Sequence, residues 1–492
     1  MIYLEIQKRT LMIILNCGAQ KILYSMIKNS IKKITLFSVS ILIGCYSTIN
    51  AQSTKKSQKP NVIVILTDDQ GSMDLGSYGA TDLHTPNMDR IAKGGVRFTQ
   101  FYAGAAVCSP SRAALLTGKT NLRAGLPGNV PVPEYAKGID SHGMPTEQVT
   151  MAEMLKDNGY YTALIGKWHL GHDEDKLPNG QGFDYFFGHQ RGCIDNYSHF
   201  FYWEGPNKHD LYRNTEEVYY PGQHFSDMMA DEIKQVINHK KADPFFIYWA
   251  FNAPHYPYQG DQKWMEYYKD VPSPRKEYAA FVSNTDEKIG IVLDELEKQG
   301  IADNTIVIFQ SDHGHSLEER AFWGGGNAGP YRGSKFSLFE GGIRVPAIIK
   351  YPGVIPANEV RNQLAMQMDW YSTIAELTGS KVTEQIDGKS LMPIILNKNN
   401  PSAHEVTYWQ YGSYDDATAQ WAVRKGPWKL IGNPKEPSND GSKIDVDKLF
   451  LVNLDNDISE KNNLVESNPK QMKELMKLHQ SWLKSLKSEM KR

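Results

Sequence analysis

Residues 108–118 read Cys-Ser-Pro-Ser-Arg-Ala-Ala-Leu-Leu-Thr-Gly, residue types suited to gripping or attacking an oxyanion. Ser109 is a helix-capping type, Pro110 fits a first helical position, and Arg112 falls in the first turn. Cys108 is therefore expected near a helix N-terminus, where backbone donors and the dipole favour negative charge. Arg112 adds a guanidinium fork that matches an oxyanion. A buried, inert cysteine before an ordinary capped helix fits the same residues, because thiol reactivity depends on surroundings.

Four more polar clusters each follow a short apolar run. Residues 62–66 precede Thr67-Asp68-Asp69-Gln70, and 160–165 precede Gly166-Lys167-Trp168-His169. Residues 245–251 precede Asn252-Ala253-Pro254-His255, and 305–309 precede Gln310-Ser311-Asp312-His313-Gly314. Each run has the length and the β-branched or aromatic content of a buried strand. Helical patterns over 151–158, 226–239 and 278–299 separate them. The alternation predicts an α/β fold, a large mostly parallel sheet with helices on both faces. Ligands of such sheets bind beyond the carboxyl ends of strands, so the clusters predict one shared site.

Adjacent carboxylates such as Asp68 and Asp69 repel unless a cation lies between them, and Ca²⁺ collects roughly six to eight oxygens. Asp312 leaves another strand and could complete the set; the plainer alternative is three loop carboxylates. Lys167 and His169 alternate, so both face one side if the strand continues. A lysine there can hold an oxyanion and a histidine can move protons near neutral pH. A surface lysine beside a core histidine reads the same way. His255, after a proline, reads by itself as structural.

The 108–118 segment resembles the Cys-x-Pro-Ser-Arg-x-x-x-Leu-Thr-Gly signature of type I sulfatases, in the alkaline phosphatase superfamily, and every fixed position is present. Motif by motif the similarity runs across roughly 60–465. The resemblance implies an alkaline-phosphatase-like catalytic domain, placed at 60–364, and a smaller C-terminal subdomain at 365–492 with a short antiparallel sheet and a helix. It implies that a maturation enzyme oxidises Cys108 to formylglycine, whose hydrated aldehyde attacks sulfur with one hydroxyl and expels sulfate with the other. It implies one Ca²⁺ on Asp68, Asp69, Asp312 and His313 with an oxygen of residue 108; His313 stands where the family often has Asn. Lys167 and Lys335 would grip sulfate with Arg112. His169 would act on the formylglycine hydroxyl, and His255 would face the bridging ester oxygen. Gln70 would lie just outside the metal ligands, and Glu340 would shape its loop.

Beyond residue 365 the pattern changes. Runs 420–423 and 428–431 read as a hairpin, 449–454 as a further strand, and 468–491 as a charged amphipathic helix. Residues 189–225 form a long insertion rich in aromatic and basic groups. It suits sugar recognition, or equally a folded lid with its own small core. Arg191, His199, Trp203 and Arg213 from it, with His315, Arg320 and Trp323, are candidate substrate contacts; Tyr408 and Tyr411 are further ones.

A net charge of −2 gives no basic field for nucleic acid. Ten Trp and 26 Tyr suit a carbohydrate surface as well as an ordinary core. There are four cysteines. Cys17 and Cys45 lie in the leader, so with Cys108 committed to chemistry Cys193 has no partner, and a disulfide scaffold is not expected. Residues 1–44 read as an export leader: Lys32 and Lys33 precede the run 34–44, too short to span a bilayer. Leu42-Ile43-Gly44-Cys45 resembles a bacterial lipobox, which implies a lipid on Cys45, a polar tether over 45–59, and an exported lipoprotein at the outer membrane or periplasm of a Gram-negative bacterium. A plain signal peptide cut near Ala51 is the alternative, and Met26 gives a more usual leader start than Met1.

The function expected is thus an exported sulfatase acting on sulfated carbohydrate, with algal polysaccharide such as ulvan ahead of glycosaminoglycans. A phosphonate or phosphodiester hydrolase of the same superfamily and an inactive sulfoglycan-binding protein are the alternatives.

Overall fold

The apolar runs form strands whose two faces feed two separate cores. In the computed structural model, which describes residues 59–132, 143–203, 207–436 and 447–489, strand β1 (Asn61–Thr67) is buried along its whole length. Val62, Val64 and Leu66 pack into one core, and Ile63 and Ile65 into the other. A strand covered on both faces needs a continuous apolar run rather than alternation. Each such side chain contributes about 1.5–3 kcal/mol by leaving water.

The main sheet has ten strands. Its centre holds β2 (Tyr161–Lys167), β3 (Tyr185–His189), β4 (Phe245–Ala250) and β5 (Thr305–Ser311) beside β1, in the order β5-β1-β4-β2-β3. All of these neighbours pair in parallel. Strand β6 (Ala347–Lys350), between β5 and Val96–Phe98, and the edge pair Tyr212–Arg213 with Glu216–Glu217 add antiparallel pairings, so the sheet is mixed. Gly166 allows the β4–β2 approach at the strand exits: a Cβ there would stand 1.9 Å from the Ala250 carbonyl oxygen.

The smaller sheet is antiparallel and four-stranded: Val406–Tyr411, Gln420–Lys425, Trp428–Gly432 and Leu449–Asn453. The helix Pro469–Glu489 packs on it through Leu475 and His479. Trp370, Ile374, Leu391 and Ile395 belong to the main core, so the separate sheet begins near Val406 and the expected break at 365 falls inside the main packing. The described residues fall in one compact unit, Lys59–Arg492. The leader 1–44, with Cys17 and Met26, lies outside the described residues, as does all but Lys59 of the tether, Cys45 included. Among the described residues no helix is long and apolar enough to cross a membrane.

Candidate active site

Cys108 opens the helix Cys108–Thr117, with Val107 in extended conformation at the cap position. Ser109 does not cap this helix, contrary to expectation. Its backbone N–H donates to Asn129 Oδ1 at 3.0 Å, and its hydroxyl accepts from Val130 N at 3.1 Å. The serine thus fastens the 129–130 segment to the helix start.

The exits of β1 and β5 lie side by side, and Asp312 N donates to the Thr67 carbonyl at 2.9 Å. Cys108 Sγ stands 3.6 Å from Asp68 Oδ1 and 3.3 Å from His313 Nε2. Donor atoms of Asp68, Cys108, Asp312 and His313 all lie within 4.8 Å of one another. Asp69 turns into the cluster through a left-handed backbone (φ 62°), and its N–H donates to Asp312 Oδ1 at 3.2 Å. Its Oδ1 is 3.4 Å from His313 Nε2 and, among the described residues, has no hydrogen-bond partner. His313 Nδ1 donates to the Gly314 carbonyl at 2.9 Å, which leaves Nε2 as the ligating atom of the neutral ring.

Three cations face these carboxylates. Lys167 Nζ is 2.6 Å from Asp68 Oδ2, Arg112 Nη2 is 3.0 Å from Asp312 Oδ2, and Lys335 Nζ is 3.0 Å from Asp69 Oδ2. Burial opposes ionisation of Asp68, but Lys167 and Arg112 outweigh it and hold the carboxyl well below its usual range. Burial pushes Asp69 up to about 6, against Lys335 and His313 and with help from Asp68 and Asp312. Burial also opposes charge on His313, yet Asp312 and Cys108 lift it to about 10. A cluster that draws a proton onto His313 and leaves Asp69 Oδ1 unpaired is one a divalent cation would satisfy. The donor set therefore fits the implied metal.

His169 reaches the site differently from expectation. Strand β2 ends at Lys167, so Lys167 and His169 do not alternate on one strand. His169 takes a left-handed backbone (φ 56°) and lines the cavity beside Cys108. Its ring rests on Gly192, where a Cβ would come within 2.8 Å. Burial, with Lys167 and Arg112, lowers its pKa well below the histidine range. His255 is likewise held neutral by burial and Lys335. Its Nδ1 donates to the Tyr256 carbonyl at 2.7 Å, and its Nε2 lies 3.2 Å from Lys335 Nζ.

These groups border a cavity of about 180 Å³, lined by Cys108, His169, His255 and Lys335 and walled by Val130, Val132, Phe201, Trp203 and Phe336. Asn129, Val130, Val132, Gly192, Cys193, Phe201 and Phe336 were not anticipated as site residues. Isolated residues of these types carry no sequence signal of their own, although Gly192, Cys193 and Phe201 fall in the flagged insertion.

The insertion divides between the two readings. Trp203 lines the cavity, and Arg320 reaches its ring. Arg191 pairs with Asp210 at 3.8 Å and lies over Phe201. His199 is a correction: it is buried, with Nε2 on the Gln223 carbonyl and Phe225 beside its ring. Arg213 is a second one: it sits at the sheet edge on Phe187 and Tyr220 and pairs with Glu232. His315 is a third: it is buried against Gly326 and does not line the cavity. Trp323 does not line the cavity either, and Tyr408 stacks on Trp482 of the C-terminal helix. Glu340 shapes its loop from a buried ion cluster with Lys429 and Arg344.

Residues 60–380 match the Sulfatase family, and 332–489 match the N-sulphoglucosamine sulphohydrolase C-terminal family. The chain belongs to the sulfatase family. This sulfatase is 35% identical over 379 residues to N-acetylgalactosamine-6-sulfatase of Rattus norvegicus, covering 72% of this chain and 69% of the relative. Its structure is similar to that of Ps i-CgsB in complex with k-i-k-neocarrahexaose, with a TM-score of 0.76, 31% identity, and 87% and 93% of the two chains covered. The PsFucS1 sulfatase from Pseudoalteromonas sp. matches with a TM-score of 0.73 and 26% identity over 90% and 93%. As a sulfatase, the protein is a hydrolase of sulfuric esters. The same relatives fix the fold as alkaline-phosphatase-like, a large mixed sheet with helices and a small C-terminal antiparallel sheet.

Proposed function

We propose that this sulfatase removes sulfate from sulfated sugars by a formylglycine- and Ca²⁺-dependent reaction, acting on oligosaccharides of algal polysaccharide such as ulvan. One observation carries the chemistry: three carboxylates, His313 and three cations converge on Cys108 beside a cavity. The Cys108 Sγ stands where the oxygens of formylglycine would be. Formylglycine supplies two geminal hydroxyls, one to attack sulfur and one to release sulfate, and a Ca²⁺ on Asp68, Asp69, Asp312 and His313 supplies positive charge.

Arg112, Lys167 and Lys335 hold the sulfuryl oxygens and offset the charge that grows on them during transfer. Water is scarce there, since Arg112 and Lys167 are fully buried, and this strengthens each contact. His255 keeps its Nδ1 proton on the Tyr256 carbonyl, so Nε2 is the atom that exchanges. At rest Nε2 accepts from Lys335, and the pair passes that proton to the departing sugar oxygen. His169, neutral and with Nδ1 unpartnered among the described residues, takes the proton released from residue 108 as sulfate leaves.

Sulfated sugars as substrates are supported by relatives named for N-acetylgalactosamine-6-sulfate and crystallised with neocarrahexaose. The aromatic wall of the cavity suits sugar faces. The test is sulfate release from carrageenan, ulvan, fucan and glycosaminoglycan oligosaccharides by protein co-expressed with a formylglycine-generating enzyme, with EGTA and Ca²⁺ add-back. Release from the algal set, lost in EGTA and restored by Ca²⁺, is expected. Faster hydrolysis of phosphodiesters, or an unmodified Cys108 in an active preparation by peptide mass spectrometry, would sink the reading. Export and a lipid on Cys45 are proposed from sequence alone; labelling with a fatty acid should vanish in Cys45→Ala.

A further inference from the structure

A ladder of rings leads outward from the proton-delivering pair. The His255 ring stacks on Tyr256 with centroids 4.3 Å apart, and Tyr256 lies 6.3 Å from Trp203. The Arg320 guanidinium sits 4.2 Å over the Trp203 ring, and its Nη1 donates to the Trp203 carbonyl at 2.9 Å. A cavity-lining residue therefore holds this guanidinium twice, by ring face and by backbone.

The segment that carries Arg320 is tied to Lys335. Lys335 N donates to the His315 carbonyl at 2.9 Å, and Glu318 Oε2 lies 3.4 Å from Lys335 Nζ while accepting from Ser316 Oγ. Phe322 and Trp323 follow in left-handed conformation, φ 52° and 63°, a backbone that bulky residues seldom adopt. Arg320 itself is exposed. Arg320 does not itself line the cavity; it is held on Trp203, which does, and it is carried by the same segment that ties to the catalytic lysine.

The charge of Arg320 is unspent. Among the described residues no carboxylate lies within ion-pair reach of it, whereas Arg90, Arg112, Arg213, Arg275 and Arg361 each hold one. Its Nε and Nη2 likewise have no protein partner among the described residues. A guanidinium held over an indole on an exposed residue, with Nε and Nη2 uncommitted among the described residues, is preorganised for an oxyanion. The cavity wall at Val130, Val132, Phe201 and Phe336 is apolar and suits a sugar face rather than a second charge.

We propose that Arg320, stacked on Trp203, is a second anion subsite, and that the substrate is an oligosaccharide whose sugar next to the reacting residue carries a sulfate or a carboxylate. The proposal rests on the sulfatase reading. It is tested with Cys108→Ser protein, which binds without turnover, by calorimetric titration at low salt. Three disaccharides share the reacting sulfated sugar and differ in the neighbour: neutral, sulfated or uronate. One anionic neighbour is expected to tighten binding about tenfold over the neutral one, as a charge-assisted fork would. Which of the two gains identifies the source of the anion. Arg320→Ala should abolish that advantage, and Arg320→Lys, which keeps charge but not the flat fork, should retain part of it. Equal affinity for all three ligands, or a preference that survives Arg320→Ala, would overturn the subsite. Failure of the unsubstituted, matured enzyme to release sulfate from any of the sulfated oligosaccharides would overturn the proposed function instead, and the titration does not depend on that outcome.

Discussion

Two buried ion clusters flank one loop, and they differ in how completely they are satisfied. At one end Lys335 joins the cluster around Cys108. At the other, Glu340 joins Lys429 at 2.9 Å, Lys429 joins Glu460 at 3.0 Å, and Glu340 also accepts from Tyr102 at 2.7 Å. Glu340, Lys429 and Glu460 are fully buried and none keeps an unpartnered polar atom. The Cys108 cluster leaves Asp69 Oδ1, Arg112 Nε and His169 Nδ1 without partners among the described residues, and it borders a cavity. Full pairing marks scaffold, because every buried polar atom already has a partner within the protein, even though burial still pushes Glu460 up to about 7. Incomplete pairing beside a cavity marks a site whose remaining partners are ligands.

The contrast is broken most directly at Cys108. Cys108→Ala should lower kcat/KM for sulfate esters by at least about 10⁴ while leaving a cooperative thermal transition, since it removes the nucleophile alone. Persistent activity in a steady-state assay would refute the assignment. In the closed cluster the effect should fall on stability. Lys429→Met strips the cation shared by two buried carboxylates and should cost about 3–5 kcal/mol by denaturant titration. A loss below about 1 kcal/mol would show that the cluster is not holding the small sheet to the Glu340 loop.

Lys335→Ala inverts that pattern. It should cut kcat/KM about 10²–10³-fold, because it removes a contact to developing charge. Its stability cost should be well under that of Lys429→Met, because Asp69 keeps His313 and His255 nearby. Equal losses of stability in the two variants would erase the distinction drawn here.

The smallest effect belongs to His479, stacked on Trp421 at 3.9 Å where the C-terminal helix meets the small sheet. Burial lowers its pKa from 6.5 to about 4. The neutral ring is favoured in the folded state, so its stabilisation is present above pH 6.5 and is lost as pH falls through 4. Thermal unfolding followed between those values should show a fall of up to about 2–3 kcal/mol that His479→Gln flattens. An unchanged slope would place the acid sensitivity elsewhere.

Much of the central sheet was legible because burial on two faces demands unbroken apolar runs, and the ends of β1, β2, β4 and β5 differ from the predicted segments by at most two residues. The convergence of Asp68, Lys167, His255 and Asp312 was legible for a related reason, since parallel strands deliver their exits to one rim. The boundary at 365 was not, because packing of Trp370 and Leu391 into the main core leaves no compositional mark. The insertion was half legible: aromatic and basic content flagged it, but which rings face the cavity depends on hairpin register at Phe200 and Phe201.

What the amino-acid order determined by itself was local and periodic: the strands, the helices between them, and the residue types at the strand exits. Tertiary structure alone decided the rest. Left-handed turns aim Asp69 and His169, Ser109 binds a distant segment instead of capping its helix, and Arg320 lies on Trp203 rather than on a carboxylate. Each of these depends on contacts between residues far apart in the chain, and such contacts leave no spacing for a sequence to display.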